Sequence, residues 1–344
     1  MTDGAPLVEC VPNVSEGRDA SIIDTFTRTI AEAADVHLLH VDAGYDAHRT
    51  VFTFAGPPEA VGDAAIALGR VVASRVDMRR HHGAHPRIGA LDVCPFVPLS
   101  HCTLERCALL ARRVASALAH DLDLPVYLYE AAAFRPGRRS LAELRRGEYE
   151  ALASRLTSPD GAPDFGPSRP SPRLGATVVG ARPFLIAWNV SLDTQDVAVA
   201  RRIAGRVRAS GTRQRLPDGR TVHVPGQLPA LRAVGWAMPA YGLTQVSMNL
   251  LDHHVTSLHA AWTAVSAEAA REGVRVAGSE LVGLVPLEAL VAAGRALLSS
   301  GPTGDAAAVE AAIAGLGLAH LAPFDPHQRI VEWRLDAVRR ERAT

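Results

Sequence analysis

The chain has 344 residues, 48% of them hydrophobic and 21% charged, with 36 basic side chains against 36 acidic ones. That balance excludes a disordered chain and leaves room for two domains or two halves of one. It provides no global field for nucleic acid or an anionic membrane surface, though a local basic groove stays allowed.

From the N-terminus, LVECVPNV (Leu7–Val14) reads as a buried strand. Asp19 to Ala34 has helical spacing, with Ile22, Ile23, Phe26 and Ile30 on one face. VHLLHVD (Val36–Asp42) and RTVFTFAG (Arg49–Gly56) are β-rich, separated by the turn segment that holds Asp46 and His48. Pro57 and Pro58 open an Ala-rich helix to about Ser74, as proline does in a first turn. LDVCPFVP (Leu91–Pro98) is a further strand, giving the order β-α-β-β-α-β of ferredoxin-like folds. A helix over Thr103–His120 and the strand PVYLY (Pro125–Tyr129) extend it, and Ser158–Arg173, rich in Pro, Gly and Ser, reads as loop or linker.

The pattern then recurs. FLIAWNVSL (Phe184–Leu192) is a strand, and TQDVAVARRIAGRVRASG is a helix that Gly211 terminates. The polar loop TRQRLPDGRTVHVPGQ, the strands LRAVGWAM and TQVSMNLLD, a helix over Val255–Glu272 and the strand-like VRVAGSELVGLVP complete a second β-α-β-β-α-β. Helices over Leu287–Leu298 and Gly304–Ala314 add cover, and RIVEWRLDAVRRERAT is a strand or helix fading into a charged tail. The expected fold is α/β (α+β): two ferredoxin-like halves joined near Val178–Arg182, with a surface between the sheets suited to an extended ligand.

All 36 basic residues are arginine. Schiff-base chemistry, a lysine-anchored pyridoxal and a P-loop lysine are thereby excluded. Arginine offers bidentate recognition of carboxylates or phosphates instead, although coding bias in an Arg- and Ala-rich proteome is its commoner cause. Cys10, Cys94, Cys102 and Cys107 show no CxxC pairing, which fits free thiols in a reducing cytosol. The start MTDGAPLVEC lacks a signal-peptide pattern, and no apolar stretch is long enough to span a bilayer, so a cytoplasmic chain is expected.

HHGAHPRIGALDVCPF places His81, His82 and His85 within five positions. A metal site would want His81 and His85 on one helix face, yet Gly83 and Pro86 oppose a helix. Position 84 is alanine rather than an acid, and no spacing nominates a third ligand. A general base is the alternative, since imidazole titrates near neutrality, and His85 sits in a loop entering a strand. For any single histidine a packed or surface role remains the commoner outcome. Asn13, Ser15, Glu16, Gly17 and Arg18 follow the first strand, Asp42, Asp46, His48 and Arg49 surround the next turn, and Asp92 stands inside an apolar strand. Each alone is more commonly a turn, cap or salt-bridge residue.

Taken together, VECVPNVSEGR, HRTVFTFAGPPEAV, HPRIGALDVCPFVP, PVYLYEAA, RRGEYEAL, PDFGP, GATVVGARPFLIAWNV, QVSMNLLDHHVTSLH and GSELVGLVPL resemble the glutamate formiminotransferase family, the formiminotransferase half of formiminotransferase-cyclodeaminase. The resemblance runs from Leu7 to Leu287, more weakly through APFDPHQRIVEW. It implies transfer of a formimino group from N-formimino-L-glutamate to N5 of tetrahydrofolate as co-substrate, without metal, by a homodimer with no nucleic-acid or membrane partner. It implies two ferredoxin-like subdomains, 1–180 and 181–344, with facing mixed sheets and a ligand groove between them. By resemblance His85 is the catalytic base and Asp42 an active-site carboxylate that orients or stabilises its imidazole. Arg49, Arg87, Asn13 and Asn249 fall among the substrate-binding positions; for the two arginines a carboxylate clamp and a structural ion pair stand equally open.

The family's HKGEHPR is HHGAHPR here, so His82 replaces a lysine and Ala84 a glutamate. That double loss suggests a removed ion pair or an altered substrate site. The chain ends soon after the second half, so no cyclodeaminase domain is expected. Two rivals share the groove: transfer of a formyl group, and a folate-binding paralogue without turnover.

Overall fold

Pro12 interrupts the first strand, because it has no N–H for a ladder. The result is two short pieces, β1 (Leu7–Cys10) and β2 (Asn13–Val14), ahead of helix α1 (Ala20–Ala31). Asp19 caps α1 by accepting the Ser21 and Ile22 N–H groups, and Phe26 and Ile30 bury its apolar side. Strands β3 (His37–Gly44) and β4 (Arg49–Gly56), helix α2 (Pro58–Arg75), strand β5 (Leu91–Ser100), helix α3 (Leu104–Leu122) and strand β6 (Val126–Glu130) follow. Two short helices, α4 (Leu141–Leu144) and α5 (Leu152–Leu156), precede β7 (Thr177–Ala181). Across the sheet the order is β3, β4, the β1–β2 pair, β5, β7, β6. The first four positions are antiparallel in ferredoxin-like order, and β7 lies parallel between β5 and β6.

The structure, a computed structural model, describes residues 4–45, 47–83, 85–138, 140–298 and 304–343. It divides into two units: the chain to Pro183 together with the stretch from Val338, and Phe184–Ala337. The second unit runs β8 (Ile186–Leu192), α6 (Val197–Val207), β9 (Thr212–Arg215), β10 (Thr221–Val224), β11 (Leu231–Met238), β12 (Leu243–Leu250), α7 (Leu258–Arg271), β13 (Val276–Val282) and α8 (Leu287–Leu297). Helices α9 (Asp305–Gly315), α10 (Pro326–Arg329) and α11 (Val331–Ala343) close the chain. Its sheet, β11-β12-β8-β13, has the order of a ferredoxin-like fold and is antiparallel throughout rather than mixed.

Period-two alternation separates the two faces of that sheet. Ile186, Trp188, Val190 and Leu192 of β8 enter the core with Val246, Met248 and Leu250 of β12. Each such large apolar side chain contributes roughly 1.5–3 kcal/mol on burial. The opposite face is polar, with Asn189 and Ser191 on β8 and Gln245 on β12 all buried.

Three local expectations are corrected. Val178–Arg182 is not a joint: TVVGA is the fully buried strand β7, and the first unit continues to Pro183. The Pro/Gly/Ser-rich stretch before it is irregular, but it lies on the first unit, where Asp164 pairs with Arg138 and bonds the β6 backbone. The polar loop after Gly211 contains the hairpin β9–β10, whose alternation is hidden because hardly any of its residues is buried. The C-terminal segment resolves as helix α11. Among the described residues no helix is long and apolar enough to cross a membrane.

Candidate active site

Strand register assembles the first part of the site. Asn13 on β2 pairs with Val51 on β4, which pairs with Asp42 on β3. Paired residues share a sheet face, and Arg49 is two residues from Val51, so Asn13, Asp42 and Arg49 present to the same side. The other side carries Phe52 and Phe54 into the core.

The turn after β2 is shaped to lie against this strand pair. One Glu16 carboxylate oxygen accepts the N–H groups of Gly17, Arg18 and Asp19 at 2.9, 2.8 and 3.1 Å. A side chain at Gly17 would collide with the Arg49 nitrogen and the Gly44 carbonyl, at 2.5 and 2.6 Å, so only glycine fits. The same Glu16 oxygen holds His48 Nε2 at 3.2 Å.

The histidine loop docks on the turn that leads into β4. His48 and His81 stack with ring centroids 4.3 Å apart, and His81 Nε2 donates to the His48 carbonyl at 2.7 Å. Gly83 runs so close to Ala47 that a Cβ would sit 2.2 Å from its carbonyl oxygen. His81 is thus loop structure, its pKa lowered first by burial. His82 is exposed, and Ala84 and Asp46 lie outside the described residues.

His85 comes to Arg49. Arg49 Nη1 donates to His85 Nε2, and since arginine cannot accept, the imidazole carries its proton on Nδ1. Among the described residues no hydrogen-bond partner reaches that buried Nδ1. Burial, then the charges of Arg49 and Arg145, push the His85 pKa down to about 3, with the Pro86 backbone acting the other way. Arg49 is itself lowered, by burial and then by Arg145, against the opposing pull of Asp92 and Asp42.

Asp92 explains why one carboxylate interrupts an apolar strand. Its Oδ1 accepts the Ile88 N–H at 2.8 Å and its Oδ2 pairs with Arg145. Ser15 Oγ donates to the Gly89 carbonyl at 2.8 Å, fastening the same loop to β2. The cluster therefore balances two cations, Arg49 and Arg145, against Asp92 and Asp42, with a neutral imidazole among them.

One expected contact is not found, and one open choice is narrowed. Asp42 acts on Arg49, and among the described residues no hydrogen bond joins it to His85; the imidazole's neighbours are arginines, not an orienting carboxylate. Arg87, 7% exposed, has all five N–H donors engaged. Nη1 reaches Glu148 and Glu150 at 2.8 and 2.9 Å, and Nη2 reaches Glu150 at 2.7 Å and the His81 carbonyl at 3.4 Å. Nε reaches His81 Nδ1 at 3.3 Å. Arg87 is a structural ion pair holding the histidine loop, with no donor left for a substrate.

Asn13 Nδ2 donates to the Val11 carbonyl at 3.2 Å. Asn249 belongs to the second unit, exposed on β12 between Arg232 and Ala187. It shares the polar face on which Gln245 donates to Ser191 and Glu280 at 3.2 and 3.0 Å, Asn189 donates to Glu280 at 3.0 Å, and Trp236 donates to Gln245 at 2.9 Å. Neither this network nor Arg145 stands out in the sequence. Arg145, Glu148 and Glu150 all lie in RRGEYEAL, and only the fold reveals what they pair with.

Sequence comparison agrees with this layout. Residues 7–182 match the N-terminal subdomain of the formiminotransferase domain, and residues 187–336 match the formiminotransferase domain. Rat formimidoyltransferase-cyclodeaminase is 43% identical over 331 residues, covering 95% of this chain and 59% of the rat protein. The glutamate formimidoyltransferase of Streptococcus pyogenes serotype M1 is 38% identical over 287 residues, 83% of this chain and 91% of that protein. That of Thermoplasma acidophilum is 39% identical over 287 residues, with 83% and 90% covered. The chain spans about three-fifths of the length of the formimidoyltransferase-cyclodeaminases it matches. With both halves matched in order and these identities, the chain belongs to the formiminotransferase family.

Proposed function

We propose that the protein transfers the formimino group of N-formimino-L-glutamate to N5 of tetrahydrofolate, with His85 as the general base. The relatives named glutamate formimidoyltransferase, aligned over nine-tenths of their own length, support the reaction. The observation that carries the mechanism is a neutral imidazole whose basic nitrogen is held by an arginine guanidinium.

In this reading Arg49 takes a carboxylate of the donor in a two-pronged hydrogen bond. Doing so draws the guanidinium from His85 Nε2 and offsets the positive charge that depresses the imidazole, so donor binding creates the base. N5 of tetrahydrofolate then attacks the formimino carbon, and Nε2 takes the proton that N5 loses. The tetrahedral intermediate breaks its bond to the glutamate nitrogen, which receives the proton back from His85. Glutamate and 5-formimino-tetrahydrofolate leave, and the imidazole ends as it began. Holding two substrates in register supplies much of the acceleration. Asn13 and Asn249 serve as substrate contacts, and Asp42 steadies Arg49. The chemical step uses no metal, and the working form is a cytoplasmic homodimer.

The deciding experiment assays turnover of the purified chain with formimino- and formyl-glutamate, beside a titration with tetrahydrofolate, and sediments the protein at working concentration. Turnover with the formimino donor is expected. Turnover confined to the formyl donor, or folate binding without any turnover, would replace this reading with one of its rivals.

A further inference from the structure

The segment after β12 carries two adjacent histidines that the transfer chemistry leaves unused. Asp252 fixes their backbone: its Oδ1 accepts the His254 N–H at 2.9 Å, and its carbonyl accepts those of Val255 and Thr256 at 3.2 and 3.0 Å. From this rigid turn both rings reach one carboxylate in the first turn of α8. His253 Nε2 lies 2.9 Å from Glu288 Oε1, and His254 Nε2 lies 3.4 Å from the same oxygen. The rings stand with centroids 4.2 Å apart, tilted by 35°. All three ligand atoms fall within 4.8 Å of one another, the one such cluster of His, Cys, Asp or Glu among the described residues.

This spacing suits a metal ion. Zinc–nitrogen and zinc–oxygen bonds of about 2.0–2.1 Å at a tetrahedral centre put neighbouring ligand atoms about 3.3 Å apart. The observed 2.9 and 3.4 Å bracket that value, so small side-chain rotations admit an ion where the carboxylate now accepts the His253 N–H and has His254 Nε2 beside it. Two imidazoles and a carboxylate favour a borderline-soft divalent ion over magnesium or calcium, which prefer oxygen donors alone. The His254 and Glu288 side chains are 68% and 63% exposed, which leaves a coordination position open to water. Glu332, whose Oε2 accepts the Leu287 N–H at 2.9 Å, sets a second carboxylate beside the cluster.

We propose that His253, His254 and Glu288 bind one divalent transition-metal ion, zinc by preference, joining the turn after β12 to the start of α8. On binding, each imidazole carries its proton on Nδ1 and offers Nε2 to the ion. The proposal is independent of the transfer reaction, and its test does not use turnover.

The full chain, stripped with a chelator and dialysed, is titrated with Zn²⁺ by calorimetry and with Co²⁺ by its visible absorption. One saturable equivalent is expected, and Zn²⁺ raises the thermal midpoint as any ligand selective for the native state does. His254→Ala and Glu288→Gln, both at exposed side chains, each weaken binding at least about tenfold while circular dichroism stays unchanged. His85→Ala leaves the equivalent in place. No saturable equivalent, an equivalent untouched by the first two substitutions, or one lost with His85 would each overturn the proposal.

Discussion

Arg49 donates to Nε2 of His85, so the one basic nitrogen of the proposed catalytic imidazole is covered by a cation. Burial is the largest cause of the His85 pKa of about 3, followed by Arg49 and then Arg145. Arg49→Met removes the second cause and leaves the others. The His85 pKa should therefore rise in this variant but stop short of the ordinary value near 6.5. Imidazole NMR titration reads this directly. A wild-type His85 that titrates near 6.5, or one that Arg49→Met does not move, contradicts the pairing.

The same shift makes a prediction about stability. Unfolded, His85 binds a proton below about pH 6.5; folded, it does so only below about pH 3. Between those limits the unfolded state holds more protons, so stability rises with pH and falls as the solution is acidified. Below about pH 3 this contribution no longer changes. His85→Asn should flatten the acid side of the stability profile in that window relative to wild type. Urea midpoints of the two proteins across it provide the check, and parallel profiles would count against a buried neutral His85.

Replacing His85 with alanine should lower the transfer rate by about 10²–10⁴, the usual weight of general acid–base catalysis, with tetrahydrofolate affinity nearly unchanged. Arg49→Lys keeps the charge and loses the planar fork, so its effect should fall mainly on the KM of the formimino donor. Steady-state kinetics separates the two. A large kcat loss for Arg49→Lys with an unchanged donor KM would show that Arg49 does not receive the donor carboxylate.

The strand and helix order was legible in the sequence because alternation and helical spacing set which side chains reach each core. It failed where those signals vanish, at buried TVVGA and in the exposed hairpin Thr212–Val224. Asp42, Arg49 and Asn13 were legible as polar residues at strand ends, and register brings them to one face. The partner of His85 was not legible. A carboxylate is the familiar companion of a catalytic imidazole, and pattern cannot tell that Asp42 faces an arginine while another arginine, Arg145, arrives from a segment 60 residues after His85. For Arg87 the choice between clamp and ion pair turned on Glu148 and Glu150, which only the fold brings to it.

Arg87→Met tests that structural role. It removes five hydrogen bonds from the loop, but Glu148 and Glu150 are partly exposed and can rehydrate. The cost should thus fall at about 1–3 kcal/mol, below that of breaking a fully buried pair. Denaturant unfolding measures it. The folded variant should keep its donor KM, and a selective rise in KM with no loss of stability would return Arg87 to the substrate site.

Asp92 carries the most exacting prediction. It is 1% exposed, and both oxygens are in use, one on the Ile88 N–H and one on Arg145. Asp92→Asn keeps the shape but removes the charge that offsets Arg145 beside Arg49 and His85. Leaving a buried cation uncompensated should cost about 3 kcal/mol. The same uncompensated charge should press the His85 pKa further below its ordinary value. Arg145→Met in the Asp92→Asn background takes away the orphaned cation, so the double variant should be more stable than Asp92→Asn alone. A double-mutant cycle by urea unfolding isolates that coupling. Simple additivity of the two substitutions would mean that Asp92 holds the Ile88 backbone and nothing more, and that the charge balance around His85 is set elsewhere.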